Sequence, residues 1–203
     1  MKVLYLTFLV IFSDQLSKLL VKGFSVPFLG FYHQGMDIYS SIVIFDDFLK
    51  ITYVENPGMA FGLNFGGNYL FCFLRMALAI VILYYLYKMR TKRLLLRAPL
   101  ALILGGAIGN LIDRIFYGIL YNEAPLFFGN VVDFINVKFF KIDFLGFYST
   151  RWPVFNISDI AITVGVIILI VFYKKVFETE NNNSKTNSNI SETELPQSIS
   201  NQP

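Results

Sequence analysis

Four stretches of mostly apolar residues, 3–21, 69–87, 98–117 and 155–173, divide this chain. Each comes close to the roughly 20 residues that a helix needs to cross the hydrocarbon core of a bilayer. The long intervals 23–68 and 118–154 do not read as helices. Ile51-Thr52-Tyr53-Val54 is β-branched and aromatic, and it runs into the turn-forming Asn56-Pro57-Gly58. From Asn130 to Phe139 the pattern alternates, with Val131, Asp133, Ile135 and Val137 on one side of a strand. The pattern therefore predicts a mainly α, integral membrane protein. Its architecture is a four-transmembrane-helix bundle with a small β-sheet cradle on the outer side. Residues 1–177 make up this membrane domain. From Glu178 to residue 203 the chain is Asn, Ser, Thr, Glu and Gln, too polar to offset ordering entropy, and is expected to be a disordered cytoplasmic tail.

Composition agrees with lipid as the solvent. Of 203 residues 55% are hydrophobic and only 15% are charged, well below the roughly 25% of a soluble domain. A single cysteine, Cys72, excludes an internal disulfide and reads as packing within Phe71-Cys72-Phe73. Lys88, Arg90, Lys92, Arg93 and Arg97 cluster in one short break, and Lys174-Lys175 close the last apolar run. Basic residues that flank spans are topology signals, so no nucleic-acid partner is expected. The positive-inside rule puts both termini in the cytoplasm and 23–68 and 118–154 outside. Lys18 and Lys22, at the outer end of the first span, run against that rule. The first span opens like a signal peptide but lacks a small-residue cleavage site and is interrupted by Asp14 and Lys18, which makes it a retained anchor. Arg75, about two turns inside the second span, is expected to snorkel to the interface.

Asp14, Asp113 and Asp159 lie in or at the ends of apolar runs, and Asp133 sits in Val131-Val132-Asp133-Phe134. A charge at bilayer depth costs a few kcal/mol, so such residues are retained for a purpose. Asp113 and Asp159 both lie roughly 22 Å from the cytoplasmic border at the helical rise of 1.5 Å per residue. Each follows an asparagine by three positions, in Asn110-Leu111-Ile112-Asp113 and Asn156-Ile157-Ser158-Asp159, which puts amide and carboxylate on one helix face. Purely structural uses compete: Asp159 could cap the fourth span, and Asp113 could pair with Arg114. Gly105-Gly106-Ala107-Ile108-Gly109 gives the third span a smooth face for close helix approach.

Other chemistries lack their residues. His33 is the only histidine and reads as a surface residue, and Ser13 and Ser158 have no base beside them in sequence. No Cys/His cluster suggests a metal, and no glycine-rich phosphate loop or cofactor motif occurs. What remains is a pair of carboxylates and a water. Two close carboxylates share one proton; the ionised one takes a proton from water while the neutral one polarises the scissile carbonyl.

Assembled in order, these blocks resemble the lipoprotein (type II) signal peptidases of bacteria. The matching pieces are Asp14-Gln15-Leu16-Ser17-Lys18, Asn56-Pro57-Gly58-Met59-Ala60-Phe61, Gly105 through Arg114, Val131-Val132-Asp133-Phe134 and Phe155-Asn156-Ile157-Ser158-Asp159. The resemblance implies an aspartic endopeptidase of the bacterial inner membrane that cuts prolipoproteins before a diacylglyceryl-modified cysteine. It maps the catalytic dyad to Asp133 and Asp159, whereas helical symmetry alone would pair Asp113 with Asp159. It implies substrate-binding or dyad-supporting roles for Asn56, Gly58, Asn110, Asp113, Arg114 and Asn156, and polar structural support from Asp14 and Lys18. Its partners would be prolipoprotein signal peptides and membrane lipid, and one buried site would make a monomer sufficient.

The chain departs from the family pattern at Ser158, where alanine is usual, and in extra residues at 122–129 and 138–153. Two other classes share some of these features. A proton-coupled transporter also uses intramembrane carboxylates, but near the midplane. A non-catalytic assembly factor would use them as helix glue.

Overall fold

The computed structural model describes residues 2–58, 68–144 and 147–172. Met59 to Phe61, the Lys174-Lys175 pair and the polar tail lie outside the described residues. The chain divides into two compact units, Met1–Val166 and Ile167–Pro203, and everything that follows about the site belongs to the first.

Long apolar runs fold as helices because lipid offers no partner for backbone polar groups. Helix α1 spans Leu4–Lys22 and α2 Asn68–Lys88. Helix α3 begins as Leu94–Ile112, passes through a π-helical turn at Asp113–Tyr117, and ends at Leu120. Helix α4 covers Ile157–Phe172. These agree with the four predicted runs to within a few residues. α1 and the Leu94–Leu120 helix are long and apolar enough to cross a membrane, and α4 is apolar but shorter over its described residues.

The helices turn apolar side chains outward as well as inward. On α1, Phe8 is 66% exposed and Leu9, Phe12, Leu16 and Leu20 are exposed with it; on α2, Leu74 and Leu78 are too. Such continuous apolar faces are rare on a protein bathed in water. Inside, Val3, Ala79, Ile82, Leu86, Ala101 and Leu104 join α1, α2 and α3 in one core.

The glycines of α3 let two neighbours approach. A Cβ on Gly105 would stand 2.8 Å from the Cβ of Val10 on α1, and one on Gly106 would overlap the Ser158 carbonyl on α4. Backbone cannot swing aside as a side chain can. Gly106→Ala is therefore expected to cost about 1–3 kcal/mol, an overpacking penalty. A thermal unfolding scan in detergent checks it, and an unchanged midpoint would contradict the close packing.

The intervals between helices form two sheets. Strands β1 (Phe24–Val26) and β2 (Phe31–His33) make a small hairpin. The larger sheet has the order β3-β4-β5-β6, all antiparallel, from Ser41–Phe45, Leu49–Asn56, Val131–Phe144 and Phe147–Arg151. Both predicted strands are present, as β4 and the first part of β5. The extra residues at 138–153 become the outer part of β5 and its hairpin with β6. Asp47 anchors the base of that hairpin, taking Arg151 at 2.5 Å and Lys50 at 2.8 Å, with Lys138 as a third partner.

Two registers matter for the site. Val54 pairs with Asp133, and Asn56 with Val131. A bridge between Ile135 and Phe155 ties β5 to the residues just before α4. Val21, Tyr53, Tyr117, Val132 and Phe134 form a second core, which joins the end of α1 and the π-helical turn to this sheet.

Candidate active site

The start of α4 is closed by a reciprocal cap. The backbone N–H of Asp159 donates to Asn156 Oδ1 at 3.0 Å, and the N–H of Asn156 donates to Asp159 Oδ2 at 3.2 Å. This is the capping-box logic of an N-cap side chain and an acidic side chain three residues on. The next free N–H, of Ser158, donates to Asp14 Oδ1 at 2.9 Å.

With its oxygen used in the cap, Asn156 has its amide hydrogens left to give. Nδ2 donates to Asp133 Oδ1 at 2.7 Å, to Asn110 Oδ1 at 2.9 Å and to the Val132 carbonyl at 3.3 Å. Asn156 is fully buried and so touches both candidate catalytic carboxylates from one fixed position. Two further asparagines complete the frame. Asn110 Nδ2 donates to Asp159 Oδ1 at 2.9 Å, and Asn56 Nδ2 donates to Asp133 Oδ2 at 3.1 Å. The Asn56 oxygen accepts from the Gly58 N–H at 2.8 Å, an Asx turn that fixes its amide.

Asp133 and Asp159 line one cleft of about 300 Å³, together with Asn56, Gly58, Arg75, Asn110, Arg114 and Val131. Asp133 is 3% exposed, and Asp159 is half-buried. Burial lifts Asp133 to about 6; the charge of Asp159 adds to the rise, and hydrogen bonds from Asn56 and Asn156 and the charge of Lys18 oppose it.

Behind the cleft lies a buried ionic cluster. Lys18 Nζ stands 2.7 Å from Asp14 Oδ2 and 2.7 Å from Asp113 Oδ2, with all three side chains at 0% exposure. It also donates to Asn110 Oδ1 at 3.0 Å, so the cation supports the asparagine that holds Asp159. Asp113 accepts besides from Gln15 Nε2 at 2.9 Å and from the Val132 N–H at 3.3 Å. A carboxylate thereby pins the residue next to Asp133.

Three comparisons bear on what this arrangement belongs to. The sequence profile of the signal peptidase (SPase) II family matches residues 6–175. The lipoprotein signal peptidase of Pelodictyon phaeoclathratiforme is 37% identical over 172 residues, covering 85% of this chain and 89% of that one. The lipoprotein signal peptidase of Moorella thermoacetica is 38% identical over 169 residues, 83% and 90% of the two chains.

This chain belongs to the signal peptidase II family.

Among solved structures, a bacterial membrane enzyme determined by the in meso method at 1.9 Å resolution superposes with a TM-score of 0.60 at 29% identity, covering 84% of this chain and 90% of that one. The signal peptidase II family member described here is accordingly a peptidase, a hydrolase of lipoprotein processing, and a membrane protein.

The frame departs from sequence expectation in the pairing of Asp113 with Arg114. Asp113 is not held by Arg114; it faces the Lys18 ammonium on α1 together with Asn110, so the i,i+3 facing of that pair is kept. Arg114 instead donates to the Pro57 carbonyl at 3.2 Å. Arg75 lines the cleft, a place the sequence did not assign it.

Gln15 escaped notice as well. Its amide donates to Asp113 and to the Gly109 carbonyl, and its oxygen accepts from Tyr117 at 3.1 Å. The signal was present but weaker, since a neutral amide beside Asp14 in an apolar span also costs free energy, though less than a charge. Among the described residues no cluster of three or more His, Cys, Asp or Glu could hold a metal. His33 is peripheral, its Nε2 2.9 Å from the Leu20 carbonyl, and Cys72 is buried.

Proposed function

We propose that this peptidase removes signal peptides from prolipoproteins by cleaving before the S-diacylglyceryl cysteine, with Asp133 and Asp159 as an aspartic dyad. The observation that carries the reading is Asn156, whose side chain and backbone engage both carboxylates at one cleft. Among the described residues these two acids are held by one buried asparagine and otherwise only by neutral amides, and they are free to share a proton.

The more buried Asp133 carries that proton, since its carboxyl is raised to about 6 chiefly by burial, and the more exposed Asp159 serves as the base. Asp159 takes a proton from a water, whose oxygen attacks the scissile carbonyl carbon. Asp133 donates its proton to the carbonyl oxygen as the tetrahedral intermediate forms. Collapse returns that proton to Asp133, and Asp159 gives its proton to the leaving nitrogen. The C–N bond breaks, freeing the signal peptide carboxyl and the amine of the lipidated cysteine. The dyad recovers its single shared proton.

The expected pH profile follows from the sign of the shift. Raising pH through about 6 strips the shared proton from Asp133, so kcat/KM falls on that side. Lowering pH puts a second proton on the pair and removes the base. A bell-shaped profile with apparent values belonging to the pair is expected for cleavage of a lipidated peptide. A flat profile over about pH 4 to 8 would sink the shared-proton dyad.

The same reading sets the protein in the bacterial inner membrane as a four-span monomer, with both termini cytoplasmic and the sheet over the substrate on the outer side. Residues 1–177 form the peptidase and the remainder a cytoplasmic tail. Lys18 and Lys22, the residues that run against the positive-inside rule, support this orientation once paired. Lys18 sits between Asp14 and Asp113, and Lys22 between Glu55 and Glu123. Neutralised cations weigh little against the five basic residues of 88–97.

A further inference from the structure

The cleft has an acidic wall and a cationic one. Arg114 and Arg75 both line it, opposite the Asp133 and Asp159 carboxylates in chemical character. Among the described residues neither arginine forms an ion pair with a carboxylate. Arg114 is 8% exposed, spends one donor on the Pro57 carbonyl, and leaves its buried Nε without a partner. Its guanidinium lies against Gly58, where a Cβ would stand 2.5 Å from Nη1 and Nη2. That wedge fixes Arg114, whereas Arg75 arrives from a different helix, α2, and is half-buried. Leaving buried guanidinium donors unmet is costly, so the cleft is built to receive acceptor oxygens on this side.

The position of Arg75 says which oxygens. Its neighbours on α2, Phe73 and Leu74, are 54% and 65% exposed, and Leu78, three residues on, is 54% exposed. Arg75 thus stands where the polar cleft meets a bare apolar helix face. A ligand that fits this border has acceptor oxygens at its head and hydrocarbon running from them. The glyceryl group on the substrate cysteine has that form, with two ester carbonyls joined to acyl chains, and it is carried by the residue whose own nitrogen is in the bond the dyad would cut.

We propose that Arg75 is a specificity-determining residue that donates to the ester carbonyl oxygens of the diacylglyceryl group, with the acyl chains laid along the Phe73, Leu74 and Leu78 face of α2. This rests on the prolipoprotein reading above. A guanidinium suits the task because its planar fork can serve two carbonyls at once and stays charged at a lipid border.

The test compares two synthetic prolipoprotein peptides, one with the natural ester-linked diacylglyceryl cysteine and one with an ether-linked dialkylglyceryl cysteine of equal chain length. The ether keeps the hydrocarbon and lacks the carbonyls. The parent enzyme should prefer the ester peptide by about tenfold in kcat/KM, the value of one charge-assisted hydrogen bond. Arg75→Ala should bring that ratio close to one, mainly through KM on the ester peptide, and Arg75→Lys should give a ratio in between. A ratio unchanged in Arg75→Ala overturns the assignment, as does a parent enzyme with no ester preference. An equal loss on both peptides also overturns it, since that is the mark of a structural role. Asp133→Asn separates this from the dyad reading: it should abolish cleavage of both peptides, and if it does not, the dyad fails while the ester-to-ether ratio can still be read.

Discussion

Asp133→Asn and Asp159→Asn each lower the cleavage rate of a lipidated prolipoprotein peptide by about a thousandfold or more, within the span seen when a general acid or base is removed. Asparagine keeps the shape and removes the titratable oxygen. At position 133 its single carbonyl can still accept from Asn156 or Asn56, the two amides that hold the native carboxylate at 2.7 and 3.1 Å. At position 159 one of two bonds is lost, from Asn110 Nδ2 or from the Asn156 N–H. That variant should therefore also lose about 1 kcal/mol of stability, as weakened helix caps do. Folding is followed by thermal unfolding in the same detergent, so that lost chemistry is not confused with lost structure. Either variant cutting at the parent rate would end the dyad assignment. Asp113→Asn is the informative contrast. It disturbs the partner of Lys18 and should act through stability, with the protein that remains folded still cleaving. Loss of cleavage by a normally folded Asp113→Asn protein, with Asp133→Asn active, would restore the pairing suggested by helical symmetry.

Lys18→Met should be the most damaging single change to the fold. The ammonium bridges two carboxylates at 2.7 Å, and all three side chains are fully buried. Removing it leaves Asp14 and Asp113 facing each other with no compensating charge. Breaking a buried ion pair from one side costs about 3–5 kcal/mol. For a chain of this size that is a fall of roughly ten degrees or more in the unfolding midpoint. The damage should spread to catalysis, because Lys18 also holds the Asn110 oxygen. Combining it with Asp14→Asn and Asp113→Asn should recover part of the loss, since the stranded charges are then gone. A midpoint within a degree or two of the parent would show that the cluster is better hydrated than its burial implies.

Both outcomes trace to residues that stood out in the sequence for one reason. Asp14, Lys18, Asp113, Asp133, Asn156 and Asp159 are polar or charged groups in apolar surroundings, and an energetic anomaly of that kind is legible without coordinates. Gln15 and Arg75 carried the same signal more faintly. One was hidden beside a louder neighbour, and the other was assigned the commonest fate of an arginine in a span.

The helices and the two principal strands were also readable from the chain alone, because apolar runs and period-two alternation are local patterns and lipid forces backbone bonds to close within each helix. What the sequence could not decide was which carboxylates meet. Spacing arithmetic gives depth and face but not which neighbouring element stands opposite, and it paired Asp113 with Asp159. Lys18 holds both Asn110 and Asp113 toward α1, and only the Asn110 amide reaches Asp159. Asp133 reaches the start of α4 through strand pairing, by way of its register with Val54 and the Ile135–Phe155 bridge. Those contacts join residues far apart in the chain. Their energies come from charge and hydrogen bonding across elements, which no local pattern records.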